Sequence, residues 1–355
     1  MVCFCFISID RRNNRSKEYD LASGMTLINL SFYSIMASSK QRKGADRMDA
    51  YRGEPAFNIQ GVLAMLVTLL IWVGFILTLR AEGQSALTST DLALMRFGLP
   101  ALLFLPLLLR RRAQLATMRR GYAGLVLLGG LPFFYLISLG SGYAPAAHAG
   151  ALVPGTAPLF VTGLAVLVFK EPLPRKRLLG LGVILLGVLL LLGSGLLDWQ
   201  QGYWRGHLAF LGASLLWACY TLGLRVIGIG VLEATALLCC GSLLGLGLLL
   251  SLGLVESNIT SVSWTQLWPF LLAQGLGAGV IGGFTYGIAI RRLGAEKTAA
   301  LGSFTPALAA LAAIPLLGET LTLSDLLAVL VIMLGVALAS GLRWRRAPKL
   351  ESAVL

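Results

Sequence analysis

The sequence predicts an all-α membrane protein of ten transmembrane helices, arranged as two inverted repeats of five. Three observations predict it. The 355 residues are 57% hydrophobic and 13% charged, with mean hydropathy +0.80, whereas a soluble domain carries about 25% charged residues. The apolar residues fall in runs of about 20, the length that carries a helix across ~30 Å of hydrocarbon. Finally, Ala147 to Leu190 aligns without a gap to Ala295 to Leu338, with 14 identities in 44 positions. Leucine-rich composition alone would give roughly 4, so the chain contains an internal duplication.

Taken in order, the spans are punctuated by charge. The first, 59–79, ends at Arg80; the second, 92–109, runs into Arg110-Arg111-Arg112. The third, 122–139, follows Arg119-Arg120, and the fourth and fifth, 146–169 and 178–195, flank a basic turn from Lys170 to Arg177. The sixth, 206–224, stops at Arg225 and is followed by 234–255; the eighth, 268–290, stops at Arg291-Arg292. Spans 295–317 and 324–342 complete the set, and Arg343 follows. Lipid offers no partners for free backbone groups, so helices are favoured, and the alternating pattern of a membrane barrel is absent. Residues 1–57 read as a basic extension without a role in transport: the apolar stretch 21–37 is too interrupted by Ser, Thr and Asn to serve as a signal core. Residues 58–197 form the first repeat, 198–345 the second, and 346–355 a tail.

The net charge of +13 does not point to nucleic acid. With the N-terminus placed in the cytoplasm, 26 of the 29 Lys and Arg fall on the cytoplasmic side, Arg80 and Arg205 fall outside, and Arg96 lies within a span. This bias predicts both termini on the cytoplasmic side of the bacterial inner membrane. The five cysteines lack metal-ligand spacing with the two histidines, so no metal or other cofactor is expected. Because five is odd, the second repeat enters the membrane from the opposite side. Glu171 accordingly sits among Lys170, Arg175, Lys176 and Arg177, whereas its counterpart Glu319 shares an external loop with Asp325 and no cation. That is the inverted-repeat plan of secondary transporters.

The order of elements shared by the two halves carries a family resemblance. Pro158, Lys170-Glu171-Pro172-Leu173, Leu178-Leu179-Gly180 and Gly187-Val188 in the first half correspond to Pro306, Gly318-Glu319-Thr320-Leu321, Leu326-Leu327 and Gly335-Val336 in the second. Trp72-Val73-Gly74, Arg96-Phe97 and Trp217-Ala218 add to them. Over about residues 58–345 the chain resembles the EamA-type transporters of the drug/metabolite transporter superfamily. The resemblance implies a ten-helix exporter of metabolites, with spans 1, 3, 4, 6, 8 and 9 around a central cavity.

Candidate pathway residues follow from the repeat. Pro158 and Pro306 sit near the middle of spans 4 and 9, where proline removes a backbone donor and predicts a kink. Freed carbonyls there, with the hydroxyls of Thr156, Ser303 and Thr305, are candidate ligands for a polar group on a solute. Trp72, Tyr135, Trp217, Tyr286 and Phe304 supply aromatic wall, suited to an amphipathic organic molecule. Gly275, Gly279, Gly283 and Gly287 recur every four residues along span 8, a stripe that lets a neighbouring helix approach closely. The formal dinucleotide fingerprint within it has no preceding strand and is set aside. Arg96, His148 and Glu296 are candidate gating or proton-coupling groups, because ionisable residues in spans are rare. His148 and Glu296 are counterparts in the repeat, and histidine titrates near neutrality.

These features favour a secondary transporter working between the lipid bilayer's two faces on a small-molecule substrate, with protons as a candidate coupling ion. An uncoupled facilitator is the alternative within transport, and a scaffold or sensor the alternative outside it. An enzyme is disfavoured, since no carboxylate dyad or nucleophile–base pair sits at the midplane. A homo-oligomer is compatible with the sequence.

Overall fold

The computed structural model describes residues 58–116, 118–197 and 202–340; the extension 1–57 and the tail 346–355 lie outside the described residues. The described part is helical throughout. In chain order the helices are α1 (Ile59–Ala81), α2 (Ser89–Arg110), α3 (Ala123–Leu128 and Leu131–Tyr143), α4 (Ala146–Phe169), α5 (Arg175–Leu197), α6 (Tyr203–Val226) and α7 (Val231–Ser251). They continue with α8 (Trp264–Phe270, Leu271–Ile281 and Gly282–Leu293), α9 (Ala295–Gly302 and Thr305–Leu317) and α10 (Leu323–Ala339). Among the described residues, nine are long and apolar enough to cross a membrane. The tenth, α10, has 17 residues, about 26 Å at 1.5 Å per residue.

Local chemistry explains where the structure departs from the expected boundaries. α2 starts at Ser89 rather than Leu92 because Thr88 and Asp91 form a capping box, and Thr322 with Asp325 does the same for α10. Both aspartates therefore belong to the first turn of a span. α4 runs unbroken through Pro154 and Pro158, whereas α9 is interrupted at Ser303-Phe304. Pro306 sits at the start of its second segment, where a missing N–H costs nothing. The middle of α8 winds into π-helical turns over Leu271–Ile281, through its glycine-rich part.

Each helix turns one apolar face inward and another outward. In α5, Leu181, Ile184, Val188 and Leu191 are buried while Leu179, Leu185, Leu186 and Leu189 are exposed. Helical spacing thus separates a protein face from a lipid face.

The fifth helices of the two halves show how the repeats meet. A side chain on Gly187 would press on the backbone nitrogen of Ile332 at 2.8 Å, and one on Gly335 on that of Ile184 at 2.5 Å. Ile184 and Ile332, like Gly187 and Gly335, are counterparts 148 residues apart. Each half therefore offers the other the same contact, the exchange that a two-fold axis requires. The two five-helix repeats are inverted copies.

Candidate functional site

The exchange seen at α5 and α10 recurs in the aromatic interior. Trp72 on α1 lies against Tyr286 on α8, ring centroids 5.2 Å apart. Trp217 on α6 lies against Phe133 on α3, again at 5.2 Å, and against Tyr220. The first helix of each half thus places its tryptophan on an aromatic of the other half's third helix. Met65, Leu69 and Ala289 complete the Trp72–Tyr286 cluster, and the break in α9 reaches it, since a side chain on Gly302 would lie 3.6 Å from the Trp72 ring. Trp72 is buried and its indole nitrogen has no hydrogen-bond partner among the described residues. An unmet buried donor costs about 1–3 kcal/mol.

The hydroxyl candidates are bound locally. Thr156 donates to the Leu152 carbonyl at 2.5 Å, Ser303 to Ala300 at 2.7 Å and Thr305 to Gly302 at 2.7 Å. Such back-bonds hold the hydroxyls on their own helices. Thr156, Pro158, Thr305 and Pro306 are buried, whereas Phe304 is half exposed. The α4–α9 crossing brings Pro306 onto Gly150, 3.0 Å from the position of a side chain there. Tyr135 is half buried and shares a 3.1 Å hydrogen bond with Thr90. Within the glycine stripe, Gly275 and Gly279 face α2, at the carbonyls of Met95 and Arg96, while Gly287 faces open space. Arg96 lies over the rings of Phe75 and Phe97 at 5.5 and 6.0 Å, an interior cation–π arrangement.

At the ends of the molecule the repeat builds two ion pairs. α4 closes with Lys170 in the left-handed conformation (φ 53°), and α9 with Gly318 (φ 66°), its counterpart. In both, the next residue's N–H returns to a carbonyl six positions back, Glu171 to Ala165 and Glu319 to Ala313, after a left-handed residue has ended the helix. This turn presents each glutamate to the other half. Glu319 accepts from Arg80 Nε at 2.8 Å and from the Ala146 N–H at 3.0 and 3.1 Å, and only 8% of its side chain is exposed. Arg80 also donates to the Ser141 carbonyl at 2.8 Å. Glu171 accepts from Arg225 at 2.5 Å with 41% of its side chain exposed, beside a cleft lined by Thr162, Glu171, Leu173, Arg177 and Arg225. Arg80 and Arg225 each stand in the last turn of their half's first helix. Their shared position in the repeat was a signal for the pairing that composition could not supply.

The structure gives His148, the repeat counterpart of Glu296, polar neighbours of its own. His148 is 1% exposed and meets His207 on α6, Nδ1 to Nε2 at 3.0 Å, and Asp325 on α10 at 3.4 Å. Glu296 lies in the first turn of α9, with its side chain outside the described residues.

Comparison with known proteins agrees with this architecture. The EamA-like transporter family matches twice, over residues 59–193 and 204–341. The chain is 25% identical over 289 residues to the uncharacterized transporter YyaM of Bacillus subtilis (strain 168), covering 79% of this chain and 93% of that protein. It is 28% identical over 303 residues to a probable amino-acid metabolite efflux pump of Salmonella typhimurium (strain LT2), covering 82% and 98%. A solved crystal structure shares the fold over 82% of this chain and all of that one, with TM-score 0.51 and 21% identity. Two matched repeats whose fifth helices, tryptophans and glutamates exchange partners leave one assignment: the chain belongs to the EamA-like transporter family.

Proposed function

We propose that this protein is a secondary transporter of the bacterial inner membrane that exports a small organic solute, of the amino-acid-metabolite or drug-like class, by alternating access. The observation that carries the reading is the exchanged contact set between repeats. Two halves joined by equivalent contacts can rock about a common axis, because loosening one end brings its counterpart together at the other. The Arg80–Glu319 and Arg225–Glu171 pairs are the gates in this reading, one at each face. The positive-inside bias puts Glu171 at the cytoplasmic gate and Glu319 at the outer one.

The aromatic groups around Trp72 and Trp217 form the wall, and the unpartnered indole N–H of Trp72 is its polar handle. Such a wall fits an amphipathic molecule carrying an acceptor. The efflux-pump names of the enterobacterial relatives support the same class. Purified protein in liposomes tests it, by counterflow of radiolabelled amino acids and their hydrophobic derivatives. Saturable flux that Trp72→Ala and Tyr286→Ala each reduce at least tenfold is expected. Absence of flux across the panel, or flux indifferent to both substitutions, would overturn the reading.

A further inference from the structure

His148, His207 and Asp325 form a buried polar chain across the two repeats, and transport by rocking halves does not itself require it. His148 belongs to α4 of the first repeat; His207 and Asp325 belong to α6 and α10 of the second. Neither imidazole is more than 1% exposed. Polar groups buried this completely are costly unless they are paired.

Proton accounting singles the cluster out. Two neutral imidazoles hold two N–H protons on four ring nitrogens, and their 3.0 Å bond uses one of them as donor. Among the described residues His148 Nε2 and His207 Nδ1 make no hydrogen bond of normal geometry, although His148 Nε2 faces Asp325 Oδ1 at 3.4 Å. That spacing is an ion-pair distance rather than a hydrogen bond. Asp325 is anchored independently, accepting from the N–H of Thr322 at 3.2 Å and from its hydroxyl at 2.7 Å. Adding one proton completes the chain. His148, now an imidazolium, donates from Nδ1 to His207 and from Nε2 to the Asp325 carboxylate, while His207 keeps its proton on Nδ1. No covalent bond breaks, and the net charge of the cluster rises from −1 to 0.

The other ionisable groups nearby are few. Tyr203 of α6 meets the His148 ring edge-on at 5.9 Å. Arg80 and Glu319 neutralise each other at Ala146, two residues before His148. Arg205 is exposed and lies over Tyr143 and Trp204. None of these replaces Asp325 as the counter-ion.

We propose that His148, His207 and Asp325 are the site at which the transporter binds its coupling proton, and that the bound proton ties the two repeats together at the Glu319 end. The coupling role rests on the transport reading above; the existence of the site does not. The protonated, charge-balanced cluster bridges the halves where Arg80 and Glu319 also bridge them. Loss of the proton leaves an anionic carboxylate facing neutral rings and releases that end.

The chain has two histidines, so histidine-selective ¹⁵N labelling of the full-length, untagged protein in lipid nanodiscs yields two imidazoles. Both signals should move together in one shared step, and Asp325→Asn, which removes the facing carboxylate charge, should move that step to lower pH. His207→Gln is the second variant, in which His148 should lose the shared step. Signals static from pH 4.5 to 9, or two independent titrations indifferent to Asp325→Asn, would overturn the site. In liposomes, an imposed pH gradient should drive wild-type amino-acid flux and leave Asp325→Asn flux unchanged. Wild-type flux indifferent to the gradient would overturn the coupling role. A protein that titrates as described yet moves no solute keeps the proton site and loses the transport reading.

Discussion

Replacing Glu319 by Gln tests the gate at its more strongly bonded end. The carboxylate takes two charge-assisted hydrogen bonds, from Arg80 Nε and from the first N–H of α4 at Ala146. A bond to a charged group is worth about 1.5–3 kcal/mol against about 0.5–1.5 for a neutral one, so neutralising Glu319 loses about 1 kcal/mol at each. Arg80 keeps its Ser141 carbonyl and is 28% exposed; solvent screening discounts part of its share. Loss of a charge favourable to the helix N-terminus of α4 adds back a few tenths of a kcal/mol. The net is about 2 kcal/mol, or about thirtyfold in the equilibrium between closed and open forms of this end. Hydrogen–deuterium exchange in nanodiscs reads that population directly through the amides of the first turn of α4. Exchange there should accelerate about thirtyfold in Glu319→Gln and remain unchanged in Glu171→Gln. Acceleration below about threefold, or equal acceleration by the two substitutions, would refute the gate.

Other perturbations probe the remaining exchanged contacts. Gly335→Val drives a side chain onto the Ile184 backbone at 2.5 Å and should cost about 2–3 kcal/mol, seen as a lowered thermal-shift midpoint in detergent; Gly182→Ala, with nothing nearby, should lower it far less. Lys170→Gly removes the cost of a left-handed non-glycine residue, about 1 kcal/mol, and should raise the same midpoint, while Gly318→Ala should lower it by a similar amount. If the aromatic pairs are equivalent walls, Phe133→Ala should reduce counterflow as strongly as Tyr286→Ala; a loss confined to one half would break the equivalence.

Much of the fold was legible because membrane helices announce themselves by length and apolarity, and because Glu171 and Glu319 could be aligned by inspection. The inversion was legible from an odd number of spans and the contrast in charge around those two residues. The break at Ser303-Phe304 was less so: Pro158 and Pro306 look equivalent in sequence, yet α4 runs on through its proline and α9 stops before its own. The same proline falls inside one helix and at a segment start in the other, a difference made by the surrounding residues. The His148 cluster was harder still. Its partners, His207 and Asp325, lie 59 and 177 positions away in the chain, on helices that α4 meets only when the halves assemble. Repeat alignment compares equivalent positions, whereas this cluster joins positions that are not equivalent. Composition could flag His148 as rare, but only packing could choose its neighbours.

The departures from symmetry matter as much as the symmetry. The two glutamates arise from the same turn and face counterpart arginines, yet Glu319 is 8% exposed and also accepts from the Ala146 N–H, whereas Glu171 is 41% exposed. An exposed pair of the second kind is worth about 0.5 kcal/mol, against about 2 kcal/mol for the first. With all else equal, that difference of about 1.5 kcal/mol favours closure at the Glu319 end by roughly tenfold. The cleft beside Glu171 and Arg225 lies at the weaker pair, as such a bias requires. Repeats that are similar in sequence but differently engaged are what a two-state machine needs, because exchanging the two engagements converts one state into the other. The protein would then reach its second conformation by giving the Arg225–Glu171 pair the burial now held by Arg80–Glu319, with the proton on His148 setting when that exchange becomes favourable.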